Sequence, residues 1–231
     1  MSDRAIPIDG RSYQIDGRAV ARSAIPGSVI DNFNEILYED QNKTLSDYYS
    51  GDLSNYERVT SPTIDGTHSL EENSASTDSA LFSNPNDGLE NYPEAGDNFA
   101  FFVRASTEEP FPSCYILGDG AEDNDEIRFM VDPPRDDIRI REERDEQATG
   151  DFGGDGEADR WYDCQVVTTV LNGDVEFSLE VFDVDQSTGA RTGSVAGPIS
   201  ATFNPTRTTG TLGFYKDSTG TANFDNVRLT E

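Results

Sequence analysis

The side chains able to do chemistry in this chain are abundant in one class and scarce in the others. It has one histidine, His68, two cysteines, Cys114 and Cys164, and 45 aspartates and glutamates among 231 residues. A Ser-His-Asp or Cys-His arrangement needs an imidazole beside its nucleophile, so only His68 could serve. It follows Gly66 in a turn-like setting with no nucleophile elbow. Glycoside hydrolysis needs two acids on one strand face. Glu180 and Asp183 stand at an odd spacing and so point to opposite faces of a strand. The cluster Glu122-Asp123-Asn124-Asp125-Glu126 follows the turn Gly118-Asp119-Gly120 and reads as solvated loop. This pattern argues against an enzyme.

The run Asp183-Val184-Asp185-Gln186-Ser187-Thr188-Gly189 has acids at loop positions one and three and a hydroxyl at five, as calcium loops do. Its glycine comes one place late and the distant bidentate glutamate is missing, so a hairpin turn is the favoured reading. Sugar binding needs exposed aromatic platforms. Tyr38, Tyr48 and Tyr49, with Tyr56 just after them, lie where no strand period holds them, and they are the expected glycan contacts. Trp161 opens a long strand and is expected to pack. Two cysteines are too few for a disulfide scaffold or a zinc site, and read as small buried residues or as one bridge.

The elements that must position these groups are strands. Val175, Phe177, Leu179 and Val181 alternate with acids and serine, which is a strand with one buried face. Similar runs are expected over Tyr56–Thr60, Ser79–Ser83, Asn98–Ala105, Ser113–Leu117, Glu126–Asp132, Asp137–Arg144, Trp161–Leu171, Val175–Asp183, Ile199–Asn204, Thr211–Lys216 and Ala222–Leu229. The last two read as a hairpin about a polar turn at Asp217–Gly220, Glu35–Tyr56 as loop with one short helical turn, and Glu146–Glu157 as flexible loop. Strands at this spacing, with almost no helix, predict an all-β, two-sheet antiparallel sandwich in one domain over residues 31–231.

Residues 1–30 differ from the rest. Arg4, Arg11, Arg18 and Arg22 stand against Asp3, Asp9 and Asp16, a net of +1, leaving 13 basic and 42 acidic residues, a net of −29, in the remainder. Ile8-Asp9-Gly10-Arg11 recurs as Ile15-Asp16-Gly17-Arg18, and the glycines and prolines exclude a helix. The segment is expected to be an extended N-terminal docking arm that uses its arginines against an acidic neighbour, of which a copy of the same chain is one.

Several segments in order carry a family resemblance. An opening Asp31-Asn32-Phe33 and Ser50-Gly51-Asp52-Leu53-Ser54 precede the hairpin Ser61–Leu70. Then come Tyr92-Pro93-Glu94-Ala95-Gly96-Asp97, the aromatic strand Phe99–Ser106, Trp161-Tyr162 and the closing Phe224-Asp225-Asn226-Val227. This order resembles the LamG-like, concanavalin A-like jelly-roll domains of halophilic archaea and their viruses, over roughly Asp31 to Glu231. It departs from them by the insertion Glu35–Tyr49. The resemblance implies a jelly roll and a structural calcium near the chain ends, with Asp225 as a ligand and Asp31 or Asn34 as companions.

Charge bounds the partners. A net of −28 with only two lysines, Lys43 and Lys216, suits concentrated salt, where the Debye length falls to about 3 Å and self-repulsion is screened. Such a surface excludes nucleic acid, which requires clustered base, and the chain has no run of about 18 apolar residues for membrane insertion. Its N-terminus lacks the apolar core of a secretion signal, and an outward-facing domain without one is expected on a virus particle released by lysis. The function expected is therefore a non-enzymatic virion structural protein of a haloarchaeal virus, a capsid-surface or tail component. It is expected to be a homo-oligomer docked on other virion proteins through its arm, touching host surface-layer glycans. The alternatives are a calcium-dependent carbohydrate-binding module of a cellular protein and a sandwich-fold glycosidase.

Overall fold

The computed structural model describes residues 7–8, 11–12, 29–34, 38–39, 42–75, 78–83, 93–108, 110–118, 126–142, 145–204 and 210–230. A short hairpin, β1 (Pro7–Ile8) and β2 (Arg11–Ser12), precedes β3 (Val29–Asp31), the helical turn α1 (Leu45–Tyr48), β4 (Tyr49–Gly51), β5 (Tyr56–Val59), β6 (Ser69–Glu72) and β7 (Ser79–Ser83). There follow β8 (Phe99–Ala105), β9 (Pro112–Gly118), β10 (Ile127–Asp132), β11 (Asp137–Glu142) and β12 (Asp145–Gly150). The chain ends with β13 (Trp161–Leu171), β14 (Asp174–Val184), β15 (Arg191–Phe203), β16 (Thr211–Lys216) and β17 (Ala222–Leu229).

These strands form the expected two-sheet antiparallel jelly-roll sandwich. One sheet has seven strands in the order β12-β11-β10-β9-β16-β7-β4, the other eight in the order β15-β14-β13-β8-β17-β6-β5, with β3 also beside β17. Alternation decides which side chains enter the space between them. Val175, Phe177, Leu179 and Val181 of β14 are buried, while Glu176, Ser178 and Glu180 are only partly covered. Aromatic rings tie the layers together. Phe129 of the seven-stranded sheet meets Phe99 and Phe177 of the other at 5.4 and 5.7 Å, and Phe214 meets Phe224 at 4.8 Å. Such contacts add about 0.5–1.5 kcal/mol beyond the area they bury. Cys114 and Cys164 are free and buried in the same core, and burial pushes both thiols up.

Three expectations are corrected. Thr211–Lys216 and Ala222–Leu229 are strands to the residue, yet they do not pair with each other. β16 pairs β9 and β7, whereas β17 pairs β8, β6 and β3, so the polar turn between them changes sheet. Lys216 holds this crossing: its ammonium donates to Ser74 O at 2.7 Å and Gly220 O at 2.9 Å and is ion-paired with Glu72 of β6, both side chains of the pair being fully buried. Second, Glu146–Gly150, the first part of the stretch Glu146–Glu157 expected as loop, belongs to the edge strand β12. Its charged and polar residues face solvent and protect an edge, which composition alone cannot distinguish from a loop. Third, the strand expected over Ile199–Asn204 begins at Arg191, because the ladder with β14 runs on past a register shift at Gly197 and pairs Gly193 with Asp183 despite the weak strand preference of glycine.

Within residues 1–30, Ile8 pairs with Arg11, and β3 already belongs to the sandwich from Val29. Arg4, Arg18 and Arg22 lie outside the described residues, as do Tyr92 and the cluster Glu122–Asp125. Arg11 is placed by its backbone alone.

Candidate functional site

The residues expected to hold calcium are distributed over separate hydrogen-bond sets. Asp31 is fully buried and accepts from the hydroxyls of Tyr38 at 2.6 Å and Tyr49 at 2.7 Å and from Phe33 N–H at 2.8 Å. Asp225 accepts from the N–H groups of Ile64, Asp65 and Asn226 at 3.1, 3.0 and 2.8 Å. Asn34 Oδ1 accepts from Thr67 N–H at 2.6 Å and His68 N–H at 2.8 Å, and its amide donates to Asp65 O. N–H and O–H donors point where a cation would have to sit, so these residues do not fit calcium. No group of three or more His, Cys, Asp or Glu among the described residues could hold a metal ion. What the three do instead is dock the β5–β6 loop and the start of the sandwich. Burial raises the Asp31 carboxyl above its usual range against the pull of the two tyrosine hydroxyls, and burial lifts Asp225 to about 7.

The tyrosines expected to be exposed are also corrected. Tyr38, Tyr48, Tyr49 and Tyr56 are all buried. Three of the hydroxyls have interior acceptors: Asp31 for Tyr38 and Tyr49, and the Ser79 and Phe214 carbonyls for Tyr56. A segment without strand period therefore becomes core, because phenols can be buried once they are hydrogen-bonded. His68 stands in the β5–β6 loop, its Nδ1 3.0 Å from Thr67 Oγ1 and its Nε2 3.6 Å from Glu39. Asp185 caps the β14–β15 turn by accepting from Ser187 and Thr188, and Asp183 is held by Arg160 through two 2.8 Å bonds, so the calcium-like run is a hairpin turn.

A concentrated set of aromatic and charged side chains lies instead on the outer face of the seven-stranded sheet, with Tyr115, Tyr215, Phe82 and Arg128, all four buried, at its centre. In β9, β10 and β16 the residues that alternate with core positions are Tyr115, Arg128 and Tyr215. With Ala80 and Phe82 of β7, Tyr115 and Tyr215 form an apolar cluster separate from the main core. Strand register lines these residues up. Arg141, Arg128, Tyr115, Gly213, Phe82 and Ser50 are successive cross-strand partners, and Arg139, Met130, Ser113, Tyr215 and Ala80 form the next row. Gly213 is required for this packing: a Cβ there would lie 2.0 Å from the Tyr115 ring, whose hydroxyl donates to Leu81 O at 3.0 Å.

Charged groups complete the face. The Arg128 guanidinium lies 4.0 Å over the Tyr215 ring and donates twice to Glu126 Oε1, at 2.8 and 2.6 Å. Burial works against its charge, and Glu126 more than offsets that, so Arg128 is held more firmly protonated. Burial raises Tyr215, whose hydroxyl donates to Asp78. Arg139 is clamped by Asp137 and lies 3.1 Å from Glu146, while Arg141 is 3.7 Å from Asp217. The Glu126–Arg128 pair is almost wholly buried, Arg139 and Arg141 only partly. Four buried polar atoms here lack a hydrogen-bond partner: Ser113 Oγ, Glu126 Oε2, Arg141 Nε and Thr211 Oγ1.

Sequence reasoning passed over these residues. The signal was present in Ile127-Arg128-Phe129-Met130-Val131, where an arginine sits between core positions of one strand. What was missing is the adjacency β9-β16-β7, which joins strands distant in the chain.

No protein-family model and no curated protein matches the chain. Solved structures similar to it include the carbohydrate-binding module CBM66 from Bacillus subtilis, at 16% identity, covering 79% of this chain and 95% of that one with a TM-score of 0.48. The winged bean acidic lectin complexed with methyl-alpha-D-galactose has 11% identity, coverage of 80% and 97%, and a TM-score of 0.37. The alginate lyase AlgAT5 of polysaccharide lyase family 7 has 14% identity, coverage of 78% and 95%, and a TM-score of 0.42. At these identities the likeness transfers no residue role and no ligand.

Proposed function

We propose that this protein is a non-catalytic carbohydrate-binding jelly-roll module that engages glycan on the outer face of its seven-stranded sheet. The observation that carries the reading is the double row of Tyr115, Tyr215, Phe82 and Arg128, packed outside the main core and shaped by Gly213. The outer face of a sandwich sheet is ordinarily polar and hydrated, whereas this one carries aromatic rings and hydrogen-bonding groups that converge, the composition of a saccharide site; Tyr115, Tyr215, Phe82 and Arg128 are themselves buried, so the reading requires glycan to displace what covers them. The carbohydrate-binding module and the lectin among the similar structures accord with this, but the reading rests on the face itself. Among the described residues, the carboxylate held against the aromatic rows, Glu126, is committed to Arg128, which accords with binding. Affinity electrophoresis in molar KCl through gels containing neutral or acidic polysaccharides tests it. The wild type should be retarded by at least one polysaccharide and a Tyr215→Ala variant much less. Equal retardation of the two, or release of reducing ends, would overturn the reading.

A finer placement, display on the particle of a virus of halophilic archaea, is supported by the net charge of −28 and the near absence of lysine. Native mass measurement in concentrated salt, with and without residues 1–30, tests the docking role proposed for Arg4, Arg11, Arg18 and Arg22. Loss of the arm should lower the assembly state, and a monomer in both cases would remove that placement.

A further inference from the structure

One motif is used neither by the core nor by the face assigned to glycan. Asn42-Lys43-Thr44 is Asn-X-Thr with X other than proline, the acceptor pattern for saccharide linked to asparagine. It is the one such triplet in the chain: Asn204-Pro205-Thr206 holds the excluded proline, and every other asparagine lacks Ser or Thr two places on. A three-residue pattern also arises by chance, so its surroundings decide whether it is an acceptor.

The surroundings present Asn42 to solvent. Its N–H donates to Glu39 O at 3.0 Å and the Lys43 N–H to Tyr38 O at 2.6 Å, closing a turn ahead of α1. Tyr38, behind the turn, is fully buried, while Asn42 and Thr44 are exposed. Asn42 has φ +54°. Asparagine tolerates that left-handed conformation, commonly with its side chain bonded to local backbone. Here the side-chain amide has no partner among the described residues, whereas the amides of Asn34, Asn55 and Asn223 donate to Asp65 O, Ser79 Oγ and Glu71. The backbone thus closes the turn without the Asn42 side-chain nitrogen. Thr44 stands two places on at the N-cap of α1, its Oγ1 2.9 Å from Ser46 Oγ and 3.0 Å from Asp47 Oδ2.

We infer that Asn42 is a glycosylation site, its Nδ2 carrying a saccharide delivered from an isoprenoid phosphate or diphosphate donor. In the transfer the Nδ2–C1 bond forms as the bond from C1 to the donor phosphate oxygen breaks. The phosphate leaves with the electron pair, Nδ2 gives up one proton, and nothing is oxidised or reduced. From this turn α1 leads into β4, the edge of the seven-stranded sheet, and a bulky hydrophilic group carried just ahead of that edge deters its pairing with other chains. Saccharide carried on Asn42 is separate from saccharide held by the outer face, and neither depends on the other.

Peptide mapping by mass spectrometry of the full-length protein from its native source tests the site. The peptide containing Asn42 should carry a mass increment made of whole saccharide residues, placed on Asn42 by electron-transfer fragmentation. In the same host, Asn42→Asp should lose the increment completely while folding as the wild type, because aspartate also tolerates the left-handed turn. Thr44→Ser should keep the increment and Thr44→Ala should lose it. Since Thr44 also caps α1, Asn42→Asp is the variant that separates loss of the acceptor from loss of the cap. An unmodified Asn42 in the native protein, an increment that survives Asn42→Asp, or one indifferent to Thr44→Ala would overturn the site.

Discussion

The Tyr49 hydroxyl of the seven-stranded sheet donates a 2.7 Å hydrogen bond to the Asp31 carboxylate, which β3 carries beside the other sheet. The bond crosses the core and joins the start of the sandwich to the end of the segment Glu35–Tyr49. Tyr38 supplies a second hydroxyl to the same oxygen, and the Arg58 guanidinium lies 4.2 Å over the Tyr38 ring. Tyr49→Phe removes one donor from a buried carboxylate and should cost about 1–3 kcal/mol, measured by urea unfolding at fixed salt. A cost within error would show that the bond contributes nothing.

The Lys216–Glu72 ion pair bridges the sheets where β16 passes into β17. Breaking such a pair from one side strands a buried charge and costs about 3–5 kcal/mol. Lys216→Met should therefore destabilise strongly, and Glu72→Leu added to it should restore most of the loss. A double variant no more stable than Lys216→Met would refute the electrostatic account.

Asp225 gives the fold a pH dependence with a definite sign. Its carboxyl titrates near 7 when folded, against 3.8 as the ordinary value, chiefly through burial. The folded state therefore holds a proton that the unfolded state releases, so this contribution is complete below about pH 4 and is lost as pH rises through about 7. Asp31, also raised by burial, acts in the same direction. The stability difference between wild type and Asp225→Asn should fall by a few kcal/mol between pH 4 and 8, followed by thermal unfolding at constant salt. A flat difference would contradict the assignment.

Gly66 has φ +77°, and a Cβ there would stand 2.2 Å from Asn34 Nδ2. Gly66→Ala would strain the backbone and dislodge the amide that accepts from Thr67 and His68. The expected loss exceeds about 1 kcal/mol, and calorimetric unfolding enthalpy and midpoint would register it.

The acidic surface should make stability rise steeply as KCl goes from millimolar to molar and self-repulsion is screened. A melting temperature independent of salt would remove the argument for brine.

The layered β architecture was written in the sequence, because period-two alternation is a local property. Ser79–Ser83, Trp161–Leu171, Thr211–Lys216 and Ala222–Leu229 coincide with β7, β13, β16 and β17, and Val175–Val181 announced its buried face. Interaction between distant strands decided the rest. Whether β16 and β17 form a hairpin or part into different sheets depends on which partners they meet, and the turn between them has the same residues in either case. Tyr38 and Tyr49 lie in a segment without pattern, and only the arrival of Asp31 gives their hydroxyls a buried acceptor. Arg128, Tyr115 and Phe82 are 46 residues apart at the extremes and become one row through the register of β10, β9, β16 and β7. Composition and alternation specify which side chains seek burial, whereas a site needs particular atoms within bonding distance, and that is set only when non-local strands pair.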